Sequence, residues 1–160
     1  MDKLWAPWRI KYISAANKKK GCIFCQAKTG KTQKHLIFKT KHSLVMLNIF
    51  PYNNGHLLIS PRAHLADITQ LNDAQLLDLM HSLNKAKDLL EKVLKPDGFN
   101  IGINIGRAAG AGITAHMHMH IVPRWVGDTN FISTVSGVKV ISQSLDELAK
   151  RLKKCLKQKK

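Results

Sequence analysis

Apolar and polar positions change their spacing along the chain, and each change marks an element. The runs HLIFK over 35–39 and SLVMLNI over 43–49 are short, apolar and partly β-branched, which predicts two strands. Pro51-Tyr52-Asn53-Asn54-Gly55 is a turn cluster, and HLLIS over 56–60 follows as a third strand, so this part reads as an antiparallel meander. The period then becomes helical. Leu76, Met80, Leu83, Leu90 and Val93 form a stripe, Asn72 with Gln75 makes an N-terminal cap, and Lys95-Pro96-Asp97-Gly98 stops the run, which predicts a helix over 73–94. Alternation returns at 100–105, where Ile101, Ile103 and Ile105 share one face, and at 116–122. A shorter helix opens at Ser144, with Glu147 completing a capping box and Leu145, Leu148 and Leu152 as its stripe. The expected class is α+β, an antiparallel sheet of about five strands carrying one long and one short helix.

At 160 residues and 44% hydrophobic composition, the chain can bury one sizeable core, and one domain over 1–160 is expected. Trp5, Trp8 and Tyr12 around Pro7 make the first 20 residues too aromatic for a free tail, so they should cover the core or a partner subunit. The net charge of +16 favours anionic partners, although Lys18, Lys19, Lys20 and the tail 153–160 supply much of it, and solvated lysine is the favoured reading of the tail. No basic stretch with an apolar follow-on opens the chain, and no apolar run approaches the ~20 residues that span a bilayer. A cytoplasmic protein without membrane contact is expected. Of three cysteines, Cys22 and Cys25 form a Cys-x-x-Cys pair, which in a reducing compartment suggests a metal site or redox chemistry; Cys155 reads as a small apolar residue.

The most informative segment is HMHMHIV at 116–122. On a strand, alternate side chains share a face, so His116, His118 and His120 are expected ~6.6 Å apart on one exposed face with Met117, Met119 and Ile121 turned to the core. Three histidines in that register point to a functional site that either binds a metal or handles a phosphate. Gly106-Arg107-Ala108-Ala109-Gly110-Ala111-Gly112 lies just ahead of them. Its small residues would let backbone N–H groups close around an anion, and Arg107 adds positive charge, which favours phosphorus chemistry; a plain flexible connection is the alternative.

The 116–122 segment resembles the histidine triad signature, His-x-His-x-His followed by two apolar residues. Asn48-Ile49-Phe50-Pro51, Gly55-His56-Leu57-Leu58-Ile59 and Ser60-Pro61-Arg62-Ala63-His64 are similar to the family's upstream half-site. Asn104-Ile105-Gly106, Pro123-Arg124-Trp125, Gly127-Asp128-Thr129-Asn130-Phe131 and the opening Leu4-Trp5-Ala6-Pro7-Trp8-Arg9 resemble the branch that acts on diadenosine polyphosphates. The resemblance implies the histidine triad fold, a two-fold dimer or larger homo-oligomer, and an enzyme cleaving nucleotide phosphoanhydrides at the α-phosphorus. His118 would be the nucleophile that forms a nucleotidyl-histidine intermediate. His116 and His120 would complete the catalytic row, His120 and the loop glycines Gly110 and Gly112 holding phosphate oxygens with Arg107, and Asn104 beside them. Asn48 would bond the ribose, His56 would join the nucleotide site, and Phe24, Ile49 and Leu58 would form a slot for the base, each of those three having ordinary core packing as its alternative. Some relatives hold a structural zinc, which here implies Cys22, Cys25, His64 and His116 as ligands.

Two positions depart from the pattern. Many relatives carry glutamine or serine four residues before the first triad histidine, where this chain has Gly112, and Ala115 stands where an acidic residue is frequent. The absence of a side chain at 112 bears on the acceptor. Inorganic phosphate, giving ADP and ATP from diadenosine tetraphosphate, is favoured over water. A dinucleoside polyphosphate hydrolase and a nucleoside phosphoramidase remain alternatives using the same nucleophile. A zinc hydrolase built on the three histidines and a nucleic-acid binding module are rivals from other classes, the last accounting for the charge but not for the row.

Overall fold

The structure is a computed structural model and describes residues 21–30, 34–129 and 141–158. Five strands, β1 (Leu36–Lys39), β2 (Ser43–Leu47), β3 (Leu57–Pro61), β4 (Gly98–Ile103) and β5 (Met119–Arg124), form one antiparallel sheet in the order β1-β2-β3-β5-β4. Among the described residues three α-helices accompany it: α1 (Ile23–Thr29), α2 (Asp73–Leu94) and α3 (Leu145–Lys157). The expected α+β class with two principal helices is what forms. Helix α1, of seven residues, was not anticipated, because Cys22-Ile23-Phe24-Cys25 is too short a stretch to display a helical period. Gly30 closes it in the left-handed conformation with φ 88°.

The caps of the long helix are those the sequence predicts. Asn72 accepts from the Gln75 N–H and the Gln75 side chain accepts from the Asn72 N–H, while Lys95 ends the helix at φ 48°. Its buried stripe is rotated relative to expectation. Leu79, Leu83, Ala86 and Leu90 face the sheet, whereas Met80 is exposed, because the sheet and α3 together select a different line of the helix surface. Ser144 caps α3 by accepting from the Glu147 N–H, and Leu148 and Leu152 are fully buried.

Pleating divides the core in two. Val45, Leu47, Leu57, Ile59, Met119 and Ile121 point to the side covered by α2 and α3, and Met117 joins them. Leu44, Met46 and Leu58 point to the opposite side, where Phe24 and Ala27 of α1 cover them. Cys155 packs at the margin of the larger cluster, as a small apolar residue would. Strand β4 ends at Ile103, sooner than the alternation implies. It lies at the sheet edge, and Ile101 and Ile105 are 46% and 44% exposed rather than buried. The aromatic opening segment, Lys18, Lys19, Lys20, Asn130, Phe131 and the last two residues of the tail lie outside the described residues.

Candidate active site and metal centre

The expectation of an exposed histidine row is corrected by the structure. Strand β5 begins at Met119, so His116 and His118 lie in irregular backbone ahead of it and only His120 is on the strand. His116 is 0% and His118 5% exposed, with Phe24 of α1 packed at 5.0 and 5.1 Å from their ring centroids. The His118 and His120 centroids are 4.9 Å apart, closer than regular strand spacing would allow. Phe24 of α1 covers His116 and His118, a long-range contact that strand periodicity does not contain.

Backbone groups of fixed polarity determine which nitrogen of each ring carries its proton. The His116 carbonyl can only accept, and it lies 3.0 Å from His118 Nδ1; that nitrogen therefore donates, and Nε2 of neutral His118 keeps a free lone pair. The Pro61 carbonyl lies 2.9 Å from His116 Nε2, which leaves His116 Nδ1 bare. The Tyr52 N–H can only donate, and it lies 3.1 Å from His56 Nδ1, with Asn48 Nδ2 at 3.2 Å from the same atom. The His56 proton is consequently on Nε2, donated across 2.9 Å to His120 Nδ1. His120 in turn carries its proton on Nε2, a buried atom with no partner among the described residues. The result is a bare nitrogen on His118 beside a donor on His120 that awaits an acceptor.

Electrostatics keeps these rings neutral. Burial, with smaller contributions from His120 and His118, lowers His56 to about 3. Burial and His118 lower His120 to about 4. His118 is lowered by burial, opposed by its bond to the His116 carbonyl. An uncharged imidazole with a free lone pair is a nucleophile near neutral pH.

On the far side of His116 four donors converge. Cys22 Sγ is 3.2 Å and Cys25 Sγ 3.7 Å from His116 Nδ1, His64 Nδ1 is 3.1 Å from it, and Cys25 Sγ is 3.3 Å from His64 Nδ1. All four ligand atoms lie within 4.8 Å of one another. A tetrahedron with the ~2.0–2.3 Å bonds zinc makes to nitrogen and sulfur has edges of ~3.3–3.8 Å, so the donor set fits such an ion. The Pro61 carbonyl on His116 Nε2 is the outer partner that fixes a ligating imidazole. Burial and the neighbouring Cys22 push the Cys25 thiol up, a state that a cation would reverse by holding the thiolate. His116 Nδ1 thus faces the thiols, and His118 Nδ1 is held by a carbonyl, so the three histidines do not converge on one ion.

The histidine segment, with the bare His118 nitrogen, and His64 lie within the residues that a family model covers, while Cys22 and Cys25 precede them. The model for the HIT domain matches residues 29–126. This chain belongs to the HIT domain family. It is 34% identical to AP-4-A phosphorylase of Mycobacterium tuberculosis over 161 residues, covering 95% of this chain and 83% of that protein. An uncharacterised HIT-like protein of Methanocaldococcus jannaschii is 35% identical over 132 residues, 82% of this chain and 98% of that one. Among solved structures, a Zn-bound histidine triad family protein from Mycobacterium smegmatis superposes with a TM-score of 0.70 at 28% identity, covering 86% of this chain and 94% of that chain. No helix among the described residues is long and apolar enough to cross a membrane.

Not all the other expected residues of this HIT domain meet the histidines. Phe24 and Leu58 meet in one buried cluster, while Ile49 stays outside it. Asn48 is engaged locally, its Oδ1 accepting the Phe50 N–H and its Nδ2 meeting His56. Asn104 reaches the glycine loop, its Nδ2 lying 3.8 Å from where a Cβ on Gly110 would stand. The loop is a closed turn more than an open anion nest: Gly110 N–H donates to the Arg107 carbonyl and Ala111 N–H to the Gly106 carbonyl. Gly106 and Gly110 take positive φ, but Gly112 does not, so its contribution is the missing side chain rather than backbone freedom. Arg107 is exposed. Arg124, the basic residue at the end of β5, is held by Asp128 through Nε and Nη2 and by Asn100 Oδ1. Sequence reasoning missed Tyr52, whose ring stacks on His120 at 5.6 Å and 16°.

Proposed function

We propose that this HIT protein transfers a nucleotidyl group from a dinucleoside polyphosphate, diadenosine tetraphosphate being the favoured substrate. The observation that carries the reading is the bare His118 Nε2 beside the unpartnered His120 Nε2–H. His118 Nε2 bonds to the α-phosphorus as the bridge to the β-phosphate breaks, and the leaving polyphosphate keeps the bridging oxygen and its electron pair. His120 donates to an α-phosphate oxygen whose charge grows in the transition state, a donor already oriented by His56. An acceptor oxygen then displaces His118 and restores its lone pair.

Inorganic phosphate is the proposed acceptor, which gives ADP and ATP. The similarity to AP-4-A phosphorylase supports it. So does Gly112, which leaves room where a side chain would stand, with Arg107 exposed on the same loop. The alternatives with the same nucleophile are hydrolysis, which yields AMP and ATP, and cleavage of nucleoside P–N bonds. Following diadenosine tetraphosphate with and without millimolar phosphate separates them. A rate indifferent to phosphate, with AMP among the products, overturns the phosphorylase reading.

Cys22, Cys25, His64 and His116 are proposed to hold a structural zinc, which supplies no step of the reaction but ties α1 to the start of the histidine segment. A homodimer is also proposed, since edge strand β4 presents Ile101 without cover. Sedimentation showing a monomer at micromolar concentration overturns the dimer.

A further inference from the structure

We propose that Asp128, acting through Asn53, is a positioning residue that sets the proton arrangement of the His56–His120 pair. The inference rests on the nucleotidyl-transfer reading for its consequence in catalysis, and on geometry for its origin. Asp128 sits in the segment after β5, its side chain only 7% exposed. Its carboxylate accepts from Arg124 Nε at 2.6 Å and Nη2 at 2.8 Å, from the Trp125 N–H at 3.2 Å and from Asn53 Nδ2 at 2.8 Å. Asn53 is itself buried and fully engaged. Its second amide hydrogen goes to the Pro123 carbonyl at 3.1 Å, its Oδ1 accepts the Asn54 N–H, and its backbone carbonyl accepts the His56 N–H at 3.2 Å.

Asn53 therefore clamps the turn from both sides. One neighbour is Tyr52, whose N–H donates to His56 Nδ1 and so forces the His56 proton onto Nε2. The other constraint is on the backbone of His56, held to the same residue. Asp128 anchors the amide that fixes both, and the relay ends at the His120 Nε2–H, the donor that the nucleotidyl-transfer reading assigns to the phosphate. A buried carboxylate held by an arginine is a rigid anchor, since the guanidinium fork satisfies it in a planar, two-contact geometry. If the anchor is lost, the Tyr52 N–H drifts from His56 Nδ1, and among the described residues Asn48 Nδ2 at 3.2 Å is the one remaining donor that favours the original form of the pair.

The test compares wild type with Asn53→Asp, which sets a second carboxylate against Asp128, and with Asp128→Asn, a milder change that keeps the shape. Long-range 1H–15N spectra of the histidine rings at neutral pH report which nitrogen is protonated, without any nucleotide. In wild type, His56 and His120 should each show a bare Nδ1 and a protonated Nε2. In Asn53→Asp the second neutral form of the two rings should become populated beside the first, and kcat should fall about tenfold or more with KM within about threefold, as expected when an outer partner stops orienting a reacting group. Asp128→Asn should move both readouts in the same direction to a smaller extent, and it decides the matter if Asn53→Asp fails to fold. Folded variants with wild-type ring spectra and wild-type kcat overturn the proposal, even if they melt earlier, because a purely structural role would lower the melting temperature alone. A wild-type protein inactive on every nucleotide tried overturns the nucleotidyl-transfer reading and leaves the ring spectra to decide this one.

Discussion

Acidification from pH 7 to 5 should weaken the fold through the His56–His120 pair. Both rings are neutral in the native state, lowered to about 3 and about 4 by burial and by neighbouring histidines, against an ordinary value of 6.5. Below pH 6.5 the unfolded chain takes up protons that the native rings refuse, so stability falls as the pH falls through that window and levels off only near the native values. Between 6.5 and 5 each ring loses ~1.5 pH units at ~1.36 kcal/mol per unit, about 2 kcal/mol, or about 4 kcal/mol for the pair. That is a large share of the ~5–15 kcal/mol that stabilises a typical domain. His116 and His118 are shifted the same way, so the pair has to be isolated by difference. Urea unfolding of wild type and of the double variant His56→Gln, His120→Gln should be measured at pH 7, 6 and 5. The wild type should lose about 4 kcal/mol more than the double variant over that range. Parallel losses, within about 1 kcal/mol, would refute the assignment of neutral buried rings to these two positions.

Replacement of His118 by alanine should lower turnover by several orders of magnitude while nucleotide binding persists, measured by steady-state kinetics and calorimetry; activity within about tenfold of the parent, ~1.4 kcal/mol in barrier, would remove His118 as nucleophile. Elemental analysis of protein purified without chelator should find close to one zinc per chain, and chelation should lower the melting temperature; no zinc with both Cys22 and Cys25 thiols freely titratable would count against the site. Gly55→Ala should destabilise by about 2–4 kcal/mol in urea titration, because an L residue is strained at φ +79° and its Cβ would stand 2.5 Å from Leu94 Cδ1.

What the sequence by itself determined was everything that depends on neighbours in the chain. Helix α2 runs from Asp73 to Leu94 because Asn72 and Gln75 satisfy its first amides and Pro96 forbids its continuation. Strands β1 to β3 follow from short apolar runs separated by turn residues, and the spacing of His116, His118 and His120 marked the site without any knowledge of its surroundings. The four metal-fitting ligands were legible only through resemblance, since 39 residues separate Cys25 from His64 and 91 separate Cys25 from His116.

Tertiary structure decided the rest. Strand alternation placed the histidines on an open face, but α1, formed by a sequence too short to show its period, folds over His116 and His118, and burial lowers both. Alternation put Ile101, Ile103 and Ile105 on one face without saying what covers it, and strand order put β4 at the edge with Ile101 46% exposed. Arg124 carries a charge suited to an anion, but Asp128, four residues on, closes on it. The identity of each protonated ring nitrogen was set by the carbonyls of His116 and Pro61 and by the Tyr52 N–H, backbone groups that every sequence possesses. Periodicity encodes which side of an element a residue occupies; which backbone dipole or side chain meets it there depends on contacts between distant segments, and those exist only once the chain has closed on itself.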